Sequence, residues 1–205
     1  IYQTYGILLL YSSNNVVSDN NVNVTSKLNE SYSTIGNESS QNSLVGIDLY
    51  YNSHNNTFLK NTVYVKGNDN YIYGMGVLGY YTGHNAPLGQ GASDNKFVGN
   101  KITLDGSYCA EGIIIGDESE NTLVDNNTIV IKSGVSYGIY FEMSQQSTVT
   151  NNILNQNSQV IYGILGYDSS NNIVSKNELN AKGNFAYGIL FSNGNHNQIT
   201  LNKIH

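Results

Sequence analysis

Residues 162–179 read YGILGYDSSNNIVSKNEL, and 25 positions further on residues 187–204 read YGILFSNGNHNQITLNKI. Each stretch opens Tyr-Gly-Ile-Leu and runs into a block of the form Asn-x-apolar-x-x-Asn-x-apolar, from Asn172 to Leu179 and from Asn197 to Ile204. Toward the N-terminus the block returns from Asn15 to Val22, Asn56 to Val63, Asn95 to Ile102 and Asn121 to Asn126, and in degraded form from Ser147 to Leu154. A glycine followed by an apolar residue precedes each copy, at Gly6, Gly46, Gly74, Gly112, Gly138, Gly163 and Gly188. From Asn121 onward the first Asn position recurs every 25 or 26 residues. A repeat of about 25 residues, with three short apolar segments separated by polar corners, suits one coil of a parallel β-solenoid.

Side chains alternate faces along a strand, so each segment can be read for direction. In the first segment Ile7, Ile47, Met75, Ile113, Ile139, Ile164 and Ile189 share a parity that should point inside. The tyrosines before the glycines (Tyr5, Tyr73, Tyr137, Tyr162, Tyr187) share it, which predicts an internal aromatic stack. The second segment offers Val17, Phe58, Phe97, Leu123, Val149, Val174 and Ile199 to the core, and the third Val22, Val63, Ile102, Ile129, Leu154, Leu179 and Ile204. One surplus residue between Asn126 and Ile129 reads as a bulge. The second Asn of each block (Asn20, Asn61, Asn100, Asn126, Asn152, Asn177, Asn202) falls at a corner. Asn tolerates left-handed backbone, and its amide both donates and accepts, so copies stacked above and below can satisfy one another.

Two stretches break the period, about 26–41 and 79–91, both rich in Gly, Ser and Asn and read as loops leaving corners of the stack. No linker divides the chain. The expectation is one all-β domain over residues 1–205, a right-handed parallel β-helix of about seven coils, as an interior portion of a longer protein. Neither end carries an obvious cap, so the isolated chain is expected to associate end to end.

Composition narrows the function classes. Nine lysines, no arginine and a net charge of −6 lack the basic footprint that nucleic acid requires. No apolar run is long enough to span a bilayer, which argues against membrane insertion. The single cysteine, Cys109, excludes an internal disulfide and the cysteine zinc sites. Five Asn-x-Ser/Thr sequons, at Asn23, Asn29, Asn37, Asn55 and Asn126, suit a secreted chain.

Tyr-Gly-Ile followed by Ser-x-x-Asn-x-Ile-x-x-Asn-x-Ile resembles the right-handed parallel β-helix repeats of pectate-lyase-like folds. More narrowly, coils such as Tyr162-Gly-Ile with Asn172 and Asn177, and Tyr187-Gly-Ile with Asn197 and Asn202, resemble those of adhesin-like surface proteins of methanogenic archaea. The resemblance spans nearly the whole chain and implies an extracellular, cell-surface protein. It carries the fold further than the function, because one solenoid hosts lyases, hydrolases, tailspikes and adhesins. Copper-processing proteins also use this kind of repeat, but two methionines and scattered histidines give soft-metal chemistry little to work with.

Glycan-cleaving β-helices need grouped carboxylates, or a Ca²⁺ cage with a basic residue. The best acids here are Asp117, Glu118 and Glu120, then Glu142 and Asp168. Asp117 and Asp168 share a register two coils apart with Met143 between them, roughly 9.6 Å at ~4.8 Å per strand, which an inverting pair tolerates. They lie at a polar corner, where solvated charge is the default. His54, His84, His196 and His205 have no partner at ligand spacing, so neither a metal nor a cofactor is expected. Cys109 reads as a buried, inert thiol.

The outward row of the first strand reads Leu8, Asp48, Gly76, Ile114, Tyr140, Leu165 and Leu190, beside a flat outward row of glycines. Ile114, Tyr140, Leu165 and Leu190 thus present contiguous apolar surface, the mark of an interaction site unless an insertion covers it. The expectation is a non-catalytic stalk with an adhesive, carbohydrate-binding face on those four residues, its partner a glycan or cell-surface polymer. The alternative is a polysaccharide-degrading enzyme, hydrolase or lyase, using acids near Asp117, Glu142 and Asp168.

Overall fold

The computed structural model describes residues 3–26, 43–50, 52–68, 71–77, 91–116 and 118–205. The first turn of the winding holds β1 (Gln3–Leu10), β2 (Val16–Ser18) and β3 (Asn21–Thr25). The next holds β4 (Ser43–Tyr50), β5 (Thr57–Leu59) and β6 (Thr62–Gly67), and then come β7 (Tyr71–Val77), β8 (Lys96–Val98) and β9 (Lys101–Gly106). After β10 (Cys109–Ile115) and β11 (Leu123–Asp125), β12 (Thr128–Glu142) runs unbroken from one turn into the next. So does β14 (Ile153–Tyr167), after β13 (Thr148–Thr150). The chain continues through β15 (Ile173–Ser175), β16 (Glu178–Lys182), β17 (Phe185–Ser192), β18 (Gln198–Thr200) and β19 (Lys203–Ile204).

Every pairing is parallel and joins one turn to the next. The result is a parallel β-helix, as the repeat predicts. Face one carries β1, β4, β7, β10, the latter halves of β12 and β14, and β17. Face two is a seven-stranded sheet from β2 to β18. Face three carries β3, β6, β9, the first halves of β12 and β14, β16 and β19. The inward rows stack into one core from Val22 to Leu179, with Phe58 and Phe97 face to face at 5.1 Å.

The corners explain why face-two strands are only three residues long. Each is bracketed by left-handed residues, such as Asn171 (φ 60) and Lys176 (φ 57) around β15. The residue after each left-handed one turns its side chain into the corner. Asn127 shows the pattern: its Nδ2 donates to Phe97 O at 2.8 Å and to Asn152 Oδ1 at 2.9 Å, while its Oδ1 accepts from the Asn100 backbone N and Nδ2 at 2.9 Å each. All four hydrogen-bonding positions of a buried amide are thereby filled.

This geometry corrects the register of the fourth copy. The ladder runs Asn100, Asn127, Asn152, while Asn126 (φ 55) is the exposed left-handed residue before it. Likewise Thr122 rather than Asn121 faces the corner, and Val124 rather than Leu123 enters the core. No bulge separates Asn126 from Ile129, because Thr128 and Ile129 pair directly with Lys101 and Ile102. The surplus residue lies instead between Ile115, which pairs with Phe141, and Glu120, which pairs with Gln145. Adjacent asparagines look alike in sequence; only backbone φ separates the turning residue from the bonding one.

A second correction concerns the tyrosines. Gly138 and Ile139 are both buried, and a Cβ on Gly138 would overlap Leu154 and the Gly163 carbonyl oxygen. Consecutive residues, the glycine and the isoleucine after it, thus face the core, which resets the alternation. The glycine row is therefore inward, and Tyr5, Tyr73, Tyr137, Tyr162 and Tyr187 point outward with Tyr140. Tyr5, Tyr73 and Tyr140 pack into an outer cluster with Val45 and Ile114, separate from the core. Of the expected insertions, all but Ser26 and Gly91 lie outside the described residues.

Candidate functional site

The outer surface of face one carries tyrosines in register from coil to coil. Ile114 pairs with Tyr140, Tyr140 with Leu165, and Leu165 with Leu190, so the row expected from sequence exists. Its exposure is not uniform. Ile114 is fully buried, which corrects its reading as solvent-facing, whereas Tyr140, Leu165 and Leu190 are half-buried. Beside them Tyr137, Tyr162 and Tyr187 stack at 5.0 and 5.2 Å between ring centres, nearly parallel. Rings stacked this way hide their faces from solvent and present edges and hydroxyls. Tyr187 is 51% exposed, so the surface opens toward β17.

Toward β4 the same face closes. Asp48, Tyr73, Cys109, Glu111 and Ile114 are all buried there. Glu111 lies in register between Tyr73 and Tyr137, a carboxylate where flanking coils have tyrosine. Its Oε2 is buried without a hydrogen-bond partner. Burial first, then the neighbouring Glu142 charge, push its carboxyl up to about 8. The same burial pushes the Cys109 thiol and the Tyr73 and Tyr137 phenols up, so all stay protonated at neutral pH. Glu111 escaped the sequence reading, although a single acid interrupting a tyrosine row was a visible signal.

The acids singled out from sequence are only partly assembled. Asp117 lies outside the described residues. Glu142 ends β12 opposite Tyr167 on face one. Asp168 (φ 47) follows at the corner, its column shared with Met143 (φ 49) and Glu118 (φ 60), so Glu118 rather than Asp117 holds its register. Glu118, Glu120, Asp168, Asn52 and His54 line an open concavity of about 450 Å³, which Glu142 does not reach.

Of the soft metal donors among the described residues, His54 and Met143 line that same concavity. His54 accepts the Ser93 backbone N–H on Nδ1 at 3.0 Å, Met75 is buried in the core, and His84 lies outside the described residues. Among the described residues no three His, Cys, Asp or Glu side chains could share an ion. Among those residues, too, no helix is long and apolar enough to cross a membrane.

No curated protein and no solved structure matches the chain. One family model does, over residues 82–205, and its description is "Periplasmic copper-binding protein (NosD)". That stretch holds the coils from β8 to β19, more than half of the chain, and its all-parallel winding is the architecture just described. The chain therefore belongs to the NosD family of periplasmic β-helix proteins.

Proposed function

We propose that this chain is a non-catalytic segment of an exported surface protein, a rigid stalk whose face one holds a glycan or cell-wall polymer along β12, β14 and β17. What supports the reading is the half-exposed surface of Tyr140, Leu165 and Leu190 beside the stacked Tyr137, Tyr162 and Tyr187. Contiguous apolar surface edged with ordered hydroxyls suits an amphipathic chain of sugars. The repeat of one coil gives a polymer lying along the winding axis the same contact at each step. Ile114 is too deeply buried to take part.

Copper stands in the family's description, and the donors among the described residues do not fit it. The thiol of Cys109 is buried and held protonated, Met75 is sealed in the core, and His54 and Met143 share one concavity whose lining holds no further imidazole, thiol or thioether, while His196 and His205 lie elsewhere. Copper sites need thiolate, thioether or imidazole ligands converging on one point.

A polysaccharide-degrading enzyme is the second reading. Favouring it is Glu111, an acid that keeps its proton near neutrality beside Glu142, as a general acid must. The burial of Asp48, Tyr73 and Ile114 around it counts against access by a polymer.

A glycan array paired with a reducing-sugar assay separates the two. The expected result is binding without new reducing ends, abolished in the Tyr140→Ser, Leu165→Ser double variant. Because both side chains are half-buried, that variant should lose about 1–3 kcal/mol of stability and remain folded. Retained binding would overturn the proposed face. Sugar release that disappears in Glu111→Gln would establish the enzyme instead.

A further inference from the structure

Face three carries a feature that neither the core nor the tyrosine face accounts for. Lys132, Asn157 and Lys182 sit in register on successive coils, Lys132 paired with Asn157 and Asn157 with Lys182. All three are exposed. The other cross-strand neighbour of Lys132 is Asp105, but that carboxylate is held by Lys66 at 2.8 Å. The nearby Glu178 carboxylate accepts the Asn180 amide at 3.2 Å. Among the described residues, then, neither Lys132 nor Lys182 has an ion pair, in a chain of net charge −6.

The shape beside them is concave. Where face three turns into face one the chain uses Gly134 and Gly183, whose added Cβ would press on the carbonyl oxygens of Tyr108 and Ser158. Side chains are thus missing from the corner, and an open groove of about 570 Å³ follows it, with Lys132, Asn157 and Lys182 on one wall and Ser107, Ser158 and Asn184 among its lining. Serine hydroxyls and side-chain amides bond sugar hydroxyls; ammonium groups bond acid groups. The two lysines are two strand spacings apart, roughly 9.6 Å, along the winding axis. An extended glycan covers about one strand width per sugar, so the two charges meet acid groups on alternate sugars. A lone oxyanion would fill little of such a groove and could not bridge both lysines.

We infer that the face-three groove between Lys132 and Lys182 binds a linear acidic glycan carrying carboxylate or sulfate groups on alternate sugars. This site is separate from the tyrosine face and stands on its own observations.

The test is fluorescence anisotropy at low salt with labelled hyaluronan oligosaccharides, whose carboxylates sit on alternate sugars. Neutral dextran and inorganic sulfate serve as competitors. Lys132→Gln with Lys182→Gln should weaken binding about tenfold or more. Lys60→Gln with Lys176→Gln removes the same charge from exposed corner positions elsewhere and should leave Kd within about twofold. The Tyr140→Ser, Leu165→Ser variant should bind hyaluronan normally, whatever its effect on face one. Equal weakening by both lysine pairs, competition by dextran, full displacement by millimolar sulfate, or no binding at all would each overturn the proposal.

Discussion

Glu111 lies on the outside of the winding with Tyr73 and Tyr137 as its neighbours above and below, and its carboxyl is raised from 4.5 to about 8 by burial and by Glu142. Its linkage to stability follows in sign. A folded-state pKa above the unfolded value means that the folded chain holds the proton more tightly. The stabilisation is complete below pH 4.5 and is lost as pH climbs through about 8. Wild type should therefore lose stability between pH 5 and pH 9 relative to Glu111→Gln, by at most about 5 kcal/mol. Parallel denaturation series for the two proteins measure it; curves of identical pH dependence would show that the carboxyl is solvated. Glu142→Gln should shift the wild-type transition to lower pH, since it removes the second cause of the rise.

At the scale of the element, the corner asparagines hold coil to coil. Asn152 accepts from the Asn127 backbone N and Nδ2 and donates to Val124 O and Asn177 Oδ1, each at 2.9 Å. Asn152→Leu would strand those partners in a buried corner, so denaturation midpoints should fall by the equivalent of about 2–4 kcal/mol. Asn21→Leu, at an exposed position on β3, is the control and should shift stability by less than about 0.5 kcal/mol. Equal shifts would mean that the corner is wet. Ser147 shows how far the ladder tolerates change: its backbone N still donates to Asn172 Oδ1 at 2.9 Å, while its own shorter hydroxyl accepts the Thr122 N–H and donates to Gln145 O at 3.2 Å.

In the 205-residue chain taken by itself, stability should be graded, because each inner coil is held by two neighbours and each outermost one by a single neighbour. Phe185, Leu201 and Ile204 are 69%, 75% and 55% exposed, whereas Ile139 and Ile164 are fully buried. Hydrogen exchange should accordingly run fastest in the two edge coils, β1 to β3 and β17 to β19, and slowest in the middle of β12 and β14. Uniform protection that disappears on dilution would mean that copies of the isolated chain associate end to end; uniform protection at every concentration would contradict the gradient.

The repeat, the three apolar segments per coil and their stacking order were all legible in the sequence, since periodic burial writes itself directly into periodic composition. Val17, Phe58 and Phe97 in the second segment and Val63, Ile102 and Leu154 in the third could be named as stacked rows before any coordinate. Three things were settled only by tertiary structure. Which member of an Asn pair turns the chain and which bonds across it depends on φ, and Asn126 and Asn127 are the same residue in sequence. The outward aim of the tyrosines depends on the glycine after them, whose absent Cβ lets it face the core directly before another inward residue. The burial of Ile114 and Glu111, and the ion pair that takes Asp105 but leaves Lys132, depend on which side chains meet across the coils. Alternation along one strand carries no information about that meeting.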